Sequence, residues 1–306
     1  MSDRLLLLDT PSLYFRAFHG VPATLTAPDG TSVNAVRGLL DFVARLVTDR
    51  RPSHLVACLD ASWRPAFRVA ALPSYKAHRI DPDGGETVPD TLSPQVPVIE
   101  ALLDAIGIAR IGVPGYEADD VIGTLATAAA MPVDVVTGDR DLFQLVDDAR
   151  GVRVLYPVRT GVGNAEVVDE AWVQAKYGIP GRAYGDFALL RGDPSDGLPG
   201  VSGIGEKTAA ALVSRFGGLE GLLAAAGTGD PGLTAAVRAK LAAARDYLAV
   251  APLVVRVALD VPLPAHDARL PREPRDPERL VELADRYGVG SSVDRVLRAL
   301  GWTPQR

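Results

Sequence analysis

Three short apolar runs that each end near an aspartate constrain the fold of this chain more than any other feature. The runs and their acids are residues 5–8 with Asp9, residues 55–59 with Asp60, and residues 133–136 with Asp139. Runs of this length predict buried strands, and helical periodicity fills the segments between them. This alternation predicts a mostly parallel central sheet flanked by helices, an α/β fold. Ligands bind beyond the carboxyl ends of such strands, so the three aspartates are expected at one functional edge.

Helical patterns connect the strands. Ser32 is a predicted N-cap for a helix whose apolar side consists of Val33, Val36, Leu40, Val43 and Val47. A second helix is expected over residues 93–106, with Gly107 as its C-cap. A third is expected to begin near Glu117.

The pattern changes between residues 63 and 92, where apolar periodicity fades and residues 81–90 are rich in Pro, Gly and acid. We interpret this segment as a mobile, partly helical insertion at the edge of the sheet. Basic and aromatic residues alternate in it: Trp63, Arg64, Phe67, Arg68, Tyr75, Lys76, His78 and Arg79. This mixture suits single-stranded nucleic acid, with Arg64 and Arg68 as DNA contacts, although a solvated helix face has the same composition.

The rest of the chain, after about residue 169, is mainly helical. Residues 252–277 form a Pro-rich, irregular tail with one strand-like run at 253–259. A last pair of helices is expected at residues 277–287 and 292–300.

Composition narrows the classes of function. The single cysteine, Cys58, excludes an internal disulfide and a thiolate zinc site. No apolar stretch approaches the roughly 18 residues of a membrane span, and no signal peptide precedes Asp9, so we expect a cytoplasmic protein. The net charge of −6 argues at first against a nucleic-acid partner, because nucleic acid is itself negatively charged. If nine of the 38 acids bind metal, 29 remain against 32 Lys and Arg, and bound cations invert the charge of the site.

Further acids lie at predicted helix starts and in one loop: Glu117, Asp119, Asp120, Asp141, Asp193 and Asp196. Each has a structural explanation by itself, because the helix dipole and N-capping favour acids at helix starts. These explanations do not account for so many acids at one edge of the sheet, since unpaired carboxylates that lie close together repel one another and take up protons. Divalent cations relieve that repulsion, and a ligand set made only of oxygens suits magnesium or manganese. Two such ions about 4 Å apart can hydrolyse phosphodiesters; nine acids leave ligands for a third ion.

Residues 198–210 read Leu-Pro-Gly-Val-Ser-Gly-Ile-Gly-Glu-Lys-Thr-Ala-Ala. Gly203 and Gly205 let the backbone approach a phosphate at the start of a helix, and Lys207 adds a charge contact. The pattern is typical of helix–hairpin–helix binders of the DNA backbone. A Gly-rich turn between two packed helices is the alternative.

In order, these motifs resemble those of the bacterial 5′-nucleases, which include the 5′→3′ exonuclease domain of DNA polymerase I, its phage relatives and the flap endonucleases. The motifs span nearly the whole chain, at residues 5–9, 14–19, 75–79, 115–120, 137–141, 192–196 and 203–209. The resemblance implies a resolvase/PIN-like catalytic domain at 1–168, with a helical arch insertion at about 63–92. It also implies a helical DNA-binding region at 169–306 whose tail packs back. Because the chain ends at Arg306, a stand-alone member without a polymerase domain is expected.

The resemblance also implies roles for individual residues. A first metal site falls on Asp9, Asp60, Glu117 and Asp119, with Asp120 beside it. A second falls on Asp139, Asp141, Asp193 and Asp196. The remaining implied roles are transition-state stabilisation by Lys76 and Arg79, base stacking by Tyr75, a DNA contact by Arg16, and a potassium ion held by the carbonyls of Val201 and Ile204.

Two departures from the family pattern affect the arch. Thr10 and Pro11 follow Asp9, where members commonly have glycine, and Pro65 and Pro73 limit helix formation in the insertion. We expect a monomeric, magnesium- or manganese-dependent 5′→3′ exonuclease and flap endonuclease of DNA replication and repair. Its substrates would be flap, nicked or gapped duplexes, processed in sequence with a polymerase and a ligase. The alternatives are a non-catalytic DNA-structure binder and an RNA-directed nuclease.

Overall fold

A six-stranded sheet forms the centre of the molecule, for which a computed structural model describes residues 3–158 and 161–302. Its strand order is β3-β2-β1-β4-β5-β6, with β6 antiparallel and the other neighbours parallel. The strands are β1 (Leu5–Asp9), β2 (His54–Cys58), β3 (Ala109–Ile111), β4 (Val133–Val136), β5 (Val152–Val158) and β6 (Gly161–Val168). The predicted mostly parallel sheet is confirmed.

Helices cover both faces of the sheet and form most of the chain after β6. They are α1 (Thr10–Gly20), α2 (Asn34–Arg50), α3 (Ala66–Ala71), α4 (Gln95–Ile106), α5 (Ala118–Ala128), α6 (Glu170–Tyr177), α7 (Tyr184–Arg191), α8 (Glu206–Phe216), α9 (Leu219–Thr228), α10 (Ala235–Ala243), α11 (Arg245–Val255), α12 (Pro277–Arg286) and α13 (Gly290–Ala299). In the described residues, no single helix is long and apolar enough to cross a membrane; the bent pair α8 and α9, at 82°, meets that test only jointly.

The central strand β1 shows why these runs form buried strands. Its side chains alternate between two apolar cores, with Leu5 and Leu7 in one and Leu6 and Leu8 in the other. A strand buried on both faces is continuously apolar rather than alternating. Asp9 ends the strand, beside Cys58 at the end of β2. The register therefore places the carboxyl ends of β1 and β2 together.

The predicted helices are present with shifted ends. All five apolar residues predicted on one side of α2 are buried. Ser32 is not its N-cap, because the helix begins at Asn34 and the Ser32 hydroxyl contacts the Asn34 side chain instead. Gly107 ends α4 in the left-handed conformation, as predicted, with φ at 93°.

The predicted strand-like run at 253–259 is wrong. Its first residues complete α11, which continues through Pro252 to Val255. The buried residues Leu248, Ala251 and Val255 recur at helical spacing, so packing of this face outweighs the strand propensity of the run. Near the end of the chain, α12 packs against α4, and α13 packs against α2.

The insertion is partly helical, as predicted, and is folded against a loop of the helical region. It contains α3 and a 3-10 turn, Ala77–Arg79. The backbone N–H of Lys76 donates to the carbonyl of Asp196 at 3.0 Å, and the Ser74 hydroxyl donates to the carbonyl of Gly197 at 2.9 Å. A Cβ atom on Gly197 would lie 2.1 Å from the Ser74 carbonyl oxygen, so only glycine fits there.

Candidate active site

The aspartates at the strand ends have turn or capping roles and still face the same edge. Asp9 is the N-cap of α1, where one carboxylate oxygen accepts from the Ser12 N–H and the other from the Thr137 hydroxyl at 2.6 Å. Asp60 accepts from the N–H of Ala118 at the start of α5, at 2.7 Å. These aspartates therefore have a local structural role and also lie at the same edge of the sheet.

Five of the nine predicted ligands surround one cavity of about 230 Å³. They are Asp9, Asp60, Glu117, Asp119 and Asp139. Lys76 and Arg79 from the insertion line its wall, together with Glu86. The cavity is thus rich in carboxylates and has two cationic side chains in its wall.

Burial and repulsion between neighbouring acids raise the pKa of several carboxyl groups at and near this cavity. Burial, helped by the neighbouring Asp60, raises the pKa of Asp9 to about 7. Loss of hydration raises the pKa of Asp119 well above its usual range, and Asp9 and Asp139 add to the effect. The same cause, followed by repulsion from Asp139 and Asp196, raises the pKa of Asp141. Such a set gains most from a bound dication, because the cation offsets charges that the protein leaves unbalanced.

The carboxylate of Glu117 accepts from three side chains of the insertion. Lys76 donates to its Oε1 atom, while the Tyr75 hydroxyl donates to Oε2 at 2.7 Å. Arg68 also donates to Oε2, at 2.5 Å. The insertion therefore supplies three donors to one predicted metal ligand, and two of them are formally charged.

The second predicted group is held mainly by local turns. Asp139 accepts from the N–H of Asp141 at 2.8 Å, and Asp193 accepts from the N–H of Ser195 at 2.9 Å. Arg79 pairs with Asp196 at 2.9 Å. Within residues 3–158 and 161–302, no three acid, His or Cys side chains lie close enough to form a finished coordination shell. Asp141, Asp193 and Asp196 do not line the cavity that Asp139 shares with the first group.

Four predicted site residues, three of them in the insertion, make contacts within the protein. Asp120, predicted beside the first metal site, is fully buried, and both its oxygens accept from Arg68. Arg68, predicted to touch DNA, is 2% exposed because it pairs with two buried carboxylates. Tyr75, predicted to stack on a base, is 4% exposed, since its hydroxyl reaches inward to Glu117. The guanidinium of Arg64, a further predicted DNA contact, donates to the carbonyls of Tyr75 and Pro73.

A second, larger cavity of about 640 Å³ adjoins the first. The two share Ser12, Phe15 and Gly138 in their walls. Arg16 and His19 line the larger one, and Arg16 also donates to the carbonyl of Val158 at 3.4 Å. The arrangement extends the acidic cavity into a neighbouring space with an arginine in its wall.

The predicted hairpin connects α7 to α8. Gly205 is the N-cap of α8, and Lys207 is exposed in its first turn. Gly203 has a φ of 72°, which favours glycine, and its carbonyl accepts from Lys240 Nζ at 2.8 Å. The side chains of Val201 and Ile204 are buried, and the Val201 carbonyl accepts from the Ile204 N–H at 2.9 Å.

Sequence reasoning missed Thr137 and Glu86. Thr137 orients two predicted ligands, because its hydroxyl donates to Asp9 and accepts from the N–H of Asp139 at 2.8 Å. Its place directly after a buried strand was an available signal. Glu86 gave no signal, since it lies in an acid-rich loop and reaches the cavity only through the fold of the insertion.

Comparison with known proteins defines the class and then the family. The bacteriophage T5 D15 flap endonuclease, in a pseudo-enzyme-product complex with DNA and metal ions, shares the fold with a TM-score of 0.63 and 15% identity, covering 97% of this chain and 99% of that one. The 5′-3′ exonuclease N-terminal resolvase-like domain matches residues 4–178, and the C-terminal SAM fold of that family matches residues 179–278.

Similarity to curated proteins extends along nearly the whole chain. A 5′-3′ exonuclease of Streptomyces coelicolor is 64% identical over 96% of this chain and 99% of its own length. DNA polymerase I of Mycobacterium bovis is 41% identical over 97% of this chain, which spans 32% of that polymerase. The chain belongs to the 5′-3′ exonuclease family and is a nuclease.

Proposed function

We propose that this chain is a metal-dependent 5′→3′ exonuclease and flap endonuclease that hydrolyses DNA phosphodiester bonds. The observation that carries the proposal is the cavity in which five carboxylates face Lys76 and Arg79. The flap endonuclease of similar fold, bound to DNA and metal ions, supports the substrate class.

The donor set fits divalent cations. All the acids offer hard oxygen ligands. Burial, together with repulsion from neighbouring acids, raises the pKa values of Asp9, Asp119 and Asp141, and a bound cation would offset both effects. We assign a first ion to Asp9, Asp60, Glu117 and Asp119, and a second to Asp139, Asp141, Asp193 and Asp196. Magnesium or manganese, when bound, supplies a deprotonated water and charge stabilisation in the in-line transition state.

The residues of the chain bind and orient the phosphate. Lys76 and Arg79 line the cavity and engage Glu117 and Asp196, so their cationic groups lie within reach of a phosphate that enters. In our proposal each exchanges its carboxylate for the scissile phosphate when DNA binds. The ammonium of Lys76 and the guanidinium of Arg79 then stabilise the negative charge that develops on the phosphoryl oxygens.

The DNA path follows from the remaining basic groups. Arg16 would bind the DNA backbone in the larger cavity. Arg64 of the insertion, whose guanidinium donates to the carbonyl of Pro73, would be a further DNA contact. Gly203, Gly205 and Lys207 would bind duplex phosphates at the start of α8. The carbonyls of Val201 and Ile204 would hold the potassium ion of the hairpin, next to the carbonyl that Lys240 already contacts.

We also propose a role for each region of the chain. We assign catalysis to residues 1–168 and DNA binding to residues 169–306, with flap, nicked or gapped duplexes carrying a 5′ end as substrates. The enzyme would work as a cytoplasmic monomer, between a polymerase and a ligase in replication and repair.

A comparison of substrates tests the proposal against its alternatives. Matched duplexes with a 5′ flap of DNA or of RNA are incubated with the protein and Mn²⁺, and the products are sized. We expect cleavage of the DNA flap with 5′-phosphorylated products. Preferential cleavage of the RNA flap would favour the RNA-directed nuclease, and tight binding without cleavage would favour the non-catalytic binder.

A further inference from the structure

Arg68 lies at the base of the insertion, yet its side chain points into the protein. Its guanidinium donates to Glu117 at 2.5 Å and to both oxygens of Asp120, at 2.7 and 2.8 Å. Its Nε atom donates to the carbonyl of Val254 at 3.0 Å. The arginine thus joins three segments: α3 of the insertion, the start of α5, and the end of α11.

These contacts fix the orientation of Glu117. The Oε2 atom accepts from both Arg68 and the Tyr75 hydroxyl, so this oxygen is committed to the interior. The Oε1 atom is on the side of Lys76, which lines the cavity. Asp120 fixes the backbone of the same residue, because it accepts from the Glu117 N–H at 3.1 Å. Neither Arg68 nor Asp120 lines the cavity.

We infer that Arg68 is a positioning residue, which holds Glu117 so that one carboxylate oxygen is presented to the first divalent ion. The inference rests on the proposed function, because it requires Glu117 to be a metal ligand. Partners that orient a ligating carboxylate are part of a metal site, and their loss typically weakens metal binding by about 10–100-fold.

The geometry requires an arginine rather than a point charge. One planar guanidinium serves two carboxylates and a carbonyl, and lysine cannot reproduce that fork. Asp120 extends the connection, since it also accepts from the N–H of Ala258, just beyond α11, at 2.8 Å. A shift of the insertion on DNA binding would therefore act directly on a metal ligand.

The variant Arg68→Lys tests the inference, because it keeps the charge and loses the fork. Mn²⁺ is titrated into the full chain without DNA, and free Mn²⁺ is followed by electron paramagnetic resonance. We expect the tightest site to weaken by about 10–100-fold. We also expect raised Mn²⁺ to restore the rate of DNA cleavage, so that the metal requirement changes while the maximal rate changes little.

Arg153→Lys is the matched control, because it makes the same substitution at a different arginine–aspartate pair. Arg153 pairs at 2.7 Å with Asp134, another fully buried aspartate, which lies on β4 away from the cavity and is also paired with Arg4 and Arg50. This variant perturbs an arginine paired with a buried aspartate but should bind Mn²⁺ like the wild type. A general structural effect would lower thermal stability in both variants without changing Mn²⁺ affinity in either.

The outcomes separate this inference from the proposed function. Wild-type Mn²⁺ affinity in a folded Arg68→Lys variant overturns the positioning role and leaves the proposed function intact. A wild-type protein without a tight Mn²⁺ site overturns both. If Arg68→Lys does not fold, Asp120→Asn replaces it, since this change removes a charge from the guanidinium's partner and leaves the cavity wall untouched; unchanged Mn²⁺ affinity there overturns the inference equally.

Discussion

The two groups of acids at the active site are held in different ways. In the first group, Asp9 and Glu117 are 4% and 3% exposed and are oriented by residues distant in sequence, such as Thr137 and Arg68. In the second group, Asp139 and Asp193 are held by N–H groups only two residues away. The first group therefore depends on the packing of the insertion and the sheet. The second depends mainly on local turns, with the pair between Asp196 and Arg79 as its contact with the insertion.

This difference predicts that loss of charge in the first group separates activity from stability. In Asp119→Asn, cleavage should fall by about 1,000-fold or more, equivalent to about 4 kcal/mol of barrier, because a metal ligand is lost. The metal-free variant should be more stable than the wild type, because the folded protein disfavours a charged carboxylate at this position, first through burial and then through repulsion from Asp9 and Asp139. Single-turnover cleavage and thermal unfolding in chelator measure the two effects. Parallel losses of activity and metal-free stability would contradict this description of the first group.

Lys76 tests the cationic side of the same group. Lys76→Met should slow cleavage by about 100–1,000-fold, because the ammonium that would stabilise the transferring phosphate is lost. DNA affinity in Ca²⁺ should change far less than the maximal rate. Lys176→Met is the control, since Lys176 lies over the Trp172 ring on α6. A rate equal to that of the wild type would remove Lys76 from the reaction.

The pH dependence of stability sharpens the comparison further. The pKa of Asp9 is raised from 3.8 to about 7 in the folded protein, so the folded state holds a proton that the unfolded state loses. Stability in chelator should thus fall as pH rises from about 4 to about 7, by up to about 4 kcal/mol. Mg²⁺ should stabilise the protein more at pH 8 than at pH 5. Unfolding curves of the wild type and Asp9→Asn provide the measurement, and the variant should lose most of the pH slope.

The smallest effect is expected for Glu86, which lies at the rim of the first group without belonging to either. Glu86→Gln should change cleavage by only a few-fold, about 1 kcal/mol of barrier or less, because five other acids already surround the cavity. The optimum Mg²⁺ concentration should shift slightly upward. A loss as large as that of Asp119→Asn would make Glu86 a ligand and redraw the first group.

The contrast between the groups also explains what the sequence could reveal. Strand ends are local features, so Asp9, Asp60 and Asp139 could be placed at one edge from the strand pattern alone. The inward direction of Arg68 and Tyr75 could not be predicted from the sequence. Basic and aromatic residues in an insertion have the same local pattern whether they face DNA or a buried carboxylate. The prediction of a strand-like run at 253–259 was wrong for a related reason, since burial of one side of α11 decided the conformation of its first residues.

The most direct test of the account is single-turnover cleavage of a 5′-flap DNA duplex over a range of Mg²⁺ concentrations, with excess chelator as the end point. The carboxylate cavity predicts 5′-phosphorylated products whose rate of appearance rises with Mg²⁺ and vanishes in chelator. Cleavage at an undiminished rate in excess chelator would contradict the assignment of these acids as metal ligands.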